Sequence, residues 1–137
     1  MIVLDTNIVL DLLVFSDPAT QPLQDALQSG ALQWIATPVM REELARVLAY
    51  PHIVPRLAHY QLSAGDVLAA FDRQVQLVDV APRAPLICKD PDDQKFIDLA
   101  LAHQAQLLSK DHAVLRLKKR LLAQGVQAGK LLAPAIA

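Results

Sequence analysis

The residues whose types and spacing could do chemistry are acids. Asp5 ends the apolar run Ile2-Val3-Leu4, and Asp111 follows a second short run, Gln106 to Ser109. Glu43 and Asp93 lie near the starts of two amphipathic stretches. After Pro91, the residues Phe96, Ile97, Ala100 and Leu101 define an apolar stripe. At about 100° per residue Asp93 falls one turn before Ile97, within that stripe, while Asp92 points away and Asp98 lies to the side. After Pro38, the stripe is Met40, Leu44, Val47 and Leu48. Glu43 lies on its edge and Glu42 on the far side.

Acids that converge repel one another. Two carboxylates about 4 Å apart cost roughly 4 kcal/mol at an effective dielectric near 20, so a cluster of four needs protons or a cation. An all-oxygen set, with no cysteine or paired histidines, suits Mg²⁺ or Mn²⁺ better than zinc. Such an ion can hold a phosphodiester, activate a water and stabilise the leaving oxygen. Each acid also has an ordinary reading. Asp5 can be a turn former at a strand end. Asp90 and Asp93 can cap one helix, and Asp111 can cap the next. Glu43 can pair with Arg41 or Arg46.

The elements around these acids decide between the readings. Ile2-Leu4 is the short, wholly apolar strand of a parallel sheet. A helix is expected from about Asn7 to Phe15, and a second from Pro18 to a stop at Gly30. Leu32–Ala36 reads as a strand. Thr37-Pro38 starts a helix that runs to about Tyr50, where Pro51 ends it. Ser63 caps a further helix to about Gln74, with Asp66 completing a capping box and Leu62 stapled to Val67. Val75–Val80 is a strand, and Pro82–Pro85 a loop. A helix runs from Asp90-Pro91 to about His103, a strand over Gln106–Ser109, and a basic helix from about Ala113 to Gln124, ended by Gly125. An edge strand from Leu131 onward completes the pattern. Alternating strands and helices imply an α/β layer fold. In such a fold, strand C-termini and the following helix N-termini share one edge, so all four acids can meet there.

Composition sets the frame. At 137 residues the chain is expected to be a single domain, 1–137. It is 53% hydrophobic and 20% charged, which is a core-forming balance. The lone Cys88 fits a reducing compartment and reads as a small buried hydrophobe. MIVLDTN carries no basic leader and no apolar stretch reaches about 18 residues, so neither a signal peptide nor a membrane span is expected, and the cytoplasm is the expected location. A net charge of −1 gives no broad basic face. P-loop, dinucleotide-fingerprint, nucleophile-elbow and zinc-protease patterns are absent from the sequence.

Four segments together resemble the PIN-domain family, within it the bacterial toxin-like branch. They are Val3-Leu4-Asp5-Thr6-Asn7, Thr37-Pro38-Val39-Met40-Arg41-Glu42-Glu43-Leu44, Lys89-Asp90-Pro91-Asp92-Asp93 and Leu107-Leu108-Ser109-Lys110-Asp111. The resemblance implies a three-layer α/β/α sandwich on a mainly parallel sheet, and Mg²⁺- or Mn²⁺-dependent cleavage of single-stranded RNA. It puts Asp5, Glu43, Asp93 and Asp111 on the family's metal-binding acids. Thr6, Asn7 and Ser109 would support them by hydrogen bonding, with Ser109 where the family often has threonine. Lys110 stands where glycine is frequent. A cognate antitoxin partner and a homodimer are also implied.

Lys89, Lys95 and Lys110 lie near the acids in sequence and are candidates for contact with the RNA backbone. Arg116, Lys118, Lys119 and Arg120 read as a solvated basic face, and Asp11 as a solvated acid that could reach the cleft from the side of Asp5. His112 is the histidine nearest the acids, without ligand spacing. Two alternatives remain. A strand ending in Asp5 also suggests a haloacid-dehalogenase-like phosphatase, although Asn7 stands where that chemistry wants a second aspartate. A PIN-like fold retained only for RNA or protein binding is the other.

Overall fold

The computed structural model describes residues 1–132. Five short strands form one sheet among them: β1 (Ile2–Leu4), β2 (Trp34–Ala36), β3 (Val75–Leu77), β4 (Gln106–Leu108) and β5 (Ala128–Gly129). Their order across the sheet is β3-β2-β1-β4-β5, and every pairing is parallel. β1 pairs in register with β4, Ile2 facing Gln106 and Leu4 facing Leu108. The chain therefore builds outward from β1 to β2 and β3, then returns to the other side of β1 for β4 and β5. The crevice beyond the C-terminal ends of β1 and β4 is the topological switch point, where open α/β sheets bind ligands.

Helices flank the sheet. They are α1 (Thr6–Leu13), α2 (Gln21–Gln28), α3 (Pro38–Leu48), α4 (Val54–His59), α5 (Ala64–Gln74), α6 (Gln94–His103), α7 (His112–Leu115) and α8 (Lys118–Ala123). α1, α3 and α5 pack on one another, and α6 packs on β1 and β4. β1 and β2 are buried along their whole length, as continuous apolar runs require. Trp34 in β2 meets Phe71 of α5 edge-on at 5.2 Å, joining sheet to helix layer. No helix among the described residues is long and apolar enough to cross a membrane.

Most expected boundaries recur, and the departures have physical causes. The capping box at Ser63 forms, with Asp66 N donating to Ser63 Oγ and Ser63 N donating to Asp66 Oδ2. Pro18 starts a short 3-10 turn, Pro18–Thr20, that feeds α2, and a second such turn, Pro91–Asp93, feeds α6. α4 falls where no element was expected, because six residues do not display a period. β3 stops at Leu77, an edge position where Leu77 and Val80 are exposed. The single basic helix is in fact α7 and α8, broken at Arg116-Leu117. The inward residues Val114, Leu117 and Leu121 keep helical spacing across the break, so periodicity conceals it. Gly125 ends α8 at φ +84°, a conformation that glycine adopts freely. The fifth strand is Ala128–Gly129, ahead of the one expected from Leu131; residues 133–137 of that expectation lie outside the described residues.

Candidate metal centre

β1 and β4 deliver the first two acids. Asp5 N donates to Leu108 O at 2.9 Å, so the parallel pairing continues one residue past the strands and holds Asp5 against the loop after β4. There Ser109 Oγ donates to Asp5 Oδ2 at 2.6 Å and accepts from Asp111 N at 3.0 Å. Ser109 is itself buried, so one hydroxyl fixes both the Asp5 carboxylate and the backbone that carries Asp111. The backbone at Lys110 does not take a positive φ, so no glycine is needed in this loop.

The third acid arrives from the loop before α6. Asp90 caps the turn Pro91–Asp93 by accepting from Asp92 N at 3.0 Å. Asp93 occupies the cap position of α6, yet its side chain makes no capping bond. It turns inward and is buried, whereas Asp92 is exposed, as the helical phase requires. Gln94 anchors the preceding loop: its Oε1 accepts from Cys88 N at 2.6 Å, and its Nε2 donates to Leu86 O and Asp98 Oδ1 at 2.8 Å each. Asp98 Oδ1 also accepts from Ala84 N at 2.8 Å. Neither anchoring role was legible in the sequence. Cys88 is buried, which pushes its thiol pKa up and keeps it a packing residue.

Asp5, Asp93 and Asp111 thus converge, each offering a carboxylate oxygen within 4.8 Å of the others. Asp111 also caps α7, its Oδ1 accepting from Ala113 N at 2.8 Å. Capping and clustering are compatible, because a carboxylate has two oxygens. Burial raises the Asp5 pKa, and nearby Asp111 raises it further, against the lowering effects of Ser109 and the amides of Asn7 and Thr6. Asp93 is pushed up to about 8, by burial first, then by a hydrogen bond to Asp111 open only to its protonated form, and by the charges of Asp5, Asp111 and Asp90. Its Oδ2 is buried without a hydrogen-bond partner among the described residues.

Glu43 stands beside this trio and not in it. Its Oε1 accepts from Thr6 Oγ1 at 2.5 Å, and its Oε2 accepts from Lys95 Nζ at 2.5 Å. Lys95 Nζ also donates to the Asp92 carbonyl. Thr6, the neighbour of Asp5, therefore links Glu43 to the cluster. Of the two arginines expected as partners for Glu43, Arg41 instead makes a two-point pair with Asp72 of α5, and the cation on Glu43 is Lys95. Asn7 is exposed. Asp11, expected to be solvated, is buried and paired with Lys110 at 2.7 Å. Lys89 is exposed, as is His112.

The donor set fits a hard divalent cation. It is all oxygen, it carries more than one negative charge at close range, and one buried oxygen lacks a partner that a cation would supply. No curated protein matches the chain. A family model described as PIN domain matches residues 1–113. That match spans both strands of the crevice and every acid of the cluster, so the geometry and the family agree: PIN domains are generally metal-dependent nucleases that use divalent ions, and this chain belongs to the PIN domain family.

Proposed function

We propose that the chain is an endoribonuclease that cuts single-stranded RNA with Mg²⁺ or Mn²⁺ held by Asp5, Asp93 and Asp111. The observation that carries this reading is a largely buried three-acid cluster with no cationic side chain paired to it among the described residues. A bound ion would supply Lewis-acid stabilisation of charge developing on the phosphodiester and would activate the attacking water.

The chain's own groups do the positioning. Ser109 orients Asp5 and fixes the loop that presents Asp111. The cap of α7 holds Asp111 from its other side. Thr6 and Lys95 hold Glu43 beside the cluster, where it can take a proton or complete the ion's surroundings. The N-terminus of α1 opens onto the same crevice and favours an anionic substrate.

The biological role that goes with this reading is a toxin in the cytoplasm, restrained by a cognate antitoxin and working as a homodimer. Tyr50, Val54 and Tyr60, exposed around α4, offer apolar surface for such partners. A phosphatase acting through Asp5 would want an acid at Asn7, which is an exposed amide.

The test is cleavage of a mixed set of single-stranded RNAs by the purified chain with Mn²⁺, with Mg²⁺ and with a chelator. The double variant Asp5→Asn, Asp93→Asn is run alongside. Metal-dependent cutting, lost in the variant, is expected. Cutting that survives in chelator or in the variant would overturn the assignment. Intact RNA in every lane, with RNA bound, would make the chain a binding module.

A further inference from the structure

Three cations surround one cleft beside the acid cluster, and none of them has an acidic partner among the described residues. The cleft has a volume of about 280 Å³ and is lined by Ile87, Lys89, Arg116, Leu117 and Arg120. The ion pairs among the described residues are Arg41–Asp72, Lys95–Glu43 and Lys110–Asp11, so the cleft's cations belong to none of them. In a chain of net charge −1 this is a local concentration of positive charge.

The walls of the cleft are continuous with the metal centre. One wall is the loop that carries Lys89, next to Asp90 and four residues before Asp93, a chain distance of at most about 14 Å. The other wall is α7, which Asp111 caps, and α8, which follows it. Cys88 ties the walls together, its Sγ donating to Ala113 O at 3.6 Å. Leu117 packs into the core on the inner side, while Arg116 and Arg120 face the cleft. Arginine forks match phosphate oxygens in pairs, and Lys89 adds a point charge.

We propose that Lys89, Arg116 and Arg120 form a phosphate-binding track that holds the backbone of a single-stranded nucleic acid beside the acid cluster. The inference rests on the nuclease reading for the strand's identity, but not for the phosphate contacts. Contacts of this kind position a strand without reading its bases.

The test measures binding without cleavage. Fluorescently labelled oligouridine and oligothymidine, about a dozen nucleotides each, are titrated with the full chain in chelator over a series of salt concentrations. The double variant Arg116→Ala, Arg120→Ala is compared with Arg46→Ala, Arg73→Ala. The second pair removes equal charge at the C-terminal ends of α3 and α5, toward the opposite edge of the sheet. Melting curves show that each variant is folded. The first pair is expected to weaken binding several-fold. It should also flatten the slope of log affinity against log salt by about 1.4, near 0.7 for each phosphate that is no longer neutralised. The second pair should leave that slope unchanged. Equal weakening by both pairs, an unchanged slope in the first, or no binding by the parent chain at low salt would overturn the track. Salt-dependent binding that needs Arg116 and Arg120, in a chain that never cuts RNA, would keep the track and sink the nuclease. Cutting that is indifferent to both arginines would do the reverse.

Discussion

Two sets of acids meet at the same edge of the sheet and are treated in opposite ways. Asp11 and Glu43 each have a lysine: Lys110 at 2.7 Å and Lys95 at 2.5 Å. Asp5 has a hydroxyl donor and Asp111 an amide donor, Asp93 Oδ2 has no hydrogen-bond partner, and none of the three has a cation among the described residues. Burial does not explain the difference, because Asp11 and Asp93 are both nearly inaccessible, at 7% and 8%. Where a lysine is in reach, the chain balances the charge of the acid itself. An acid cluster left charged and desolvated raises its own pKa values and favours any cation that can enter.

The largest break between the two sets should come from Asp93→Asn. If the cluster holds Mn²⁺, a concentration about 100 times the dissociation constant stabilises the folded chain by roughly 2.7 kcal/mol. For a domain of this size that is an upward shift in melting temperature of about 9 °C. Asp93→Asn should abolish the shift, while Asp92→Asn, on the exposed neighbour, should preserve it. A thermal melt with and without Mn²⁺ reads both variants. A full shift in Asp93→Asn would take that residue out of the site.

The contrast also explains what the sequence could disclose. Asp93 was separable from Asp92 because helical phase is local, and the stripe through Ile97 and Ala100 points one of them inward. The strand-end positions of Asp5 and Asp111 were legible for the same reason: a parallel sheet brings strand ends to one edge whatever the order of strands. The cations were not legible. Lys110 meets Asp11 across almost a hundred residues, and Lys95 meets Glu43 across 52. Such pairs depend on which strands are neighbours, and no local period encodes that. For want of its lysine, Asp11 read as solvated. Glu43 is expected with the cluster from its phase and from the family resemblance; phase gives a direction and not a distance, and the structure sets Glu43 beside the three aspartates on Thr6 and Lys95. α4 was invisible because a six-residue helix shows no repeat, and the break between α7 and α8 because the apolar spacing runs through it.

Proton linkage sharpens the comparison from another side. Asp93 has a folded-state pKa of about 8, above its ordinary value, and Asp5 is also raised. Between about pH 4 and pH 8 the folded chain in chelator therefore holds more protons than the unfolded chain. Its stability is greatest at the acid end of that window and falls as pH rises through it. Water reaches the open side of the cluster and screens the effect, so a loss of about 1–2 kcal/mol is expected. Saturating Mn²⁺ should remove the fall, because the ion favours the ionised acids. Denaturant melts at several pH values test this, and stability that rises with pH in chelator would contradict an uncompensated cluster.

The smallest expected effect lies in the compensated set. Lys110→Ala leaves Asp11 buried without its cation. Breaking a fully buried pair costs about 3–5 kcal/mol, but the Lys110 side chain is 46% exposed and water can take its place, so about 1 kcal/mol is expected. Asp11 is not one of the clustered acids, so Mn²⁺ should stabilise the variant as much as it stabilises the parent chain. The position also separates structural charge from ligand-binding charge. Lys110 sits between Ser109 and Asp111, so a loop that needed its ion pair to present those residues would lose metal affinity as well as stability. Urea melts with and without Mn²⁺ distinguish the cases. An equal drop in both conditions assigns the pair to packing, and a larger drop in the Mn²⁺ samples would make Lys110 a positioning residue for Asp111.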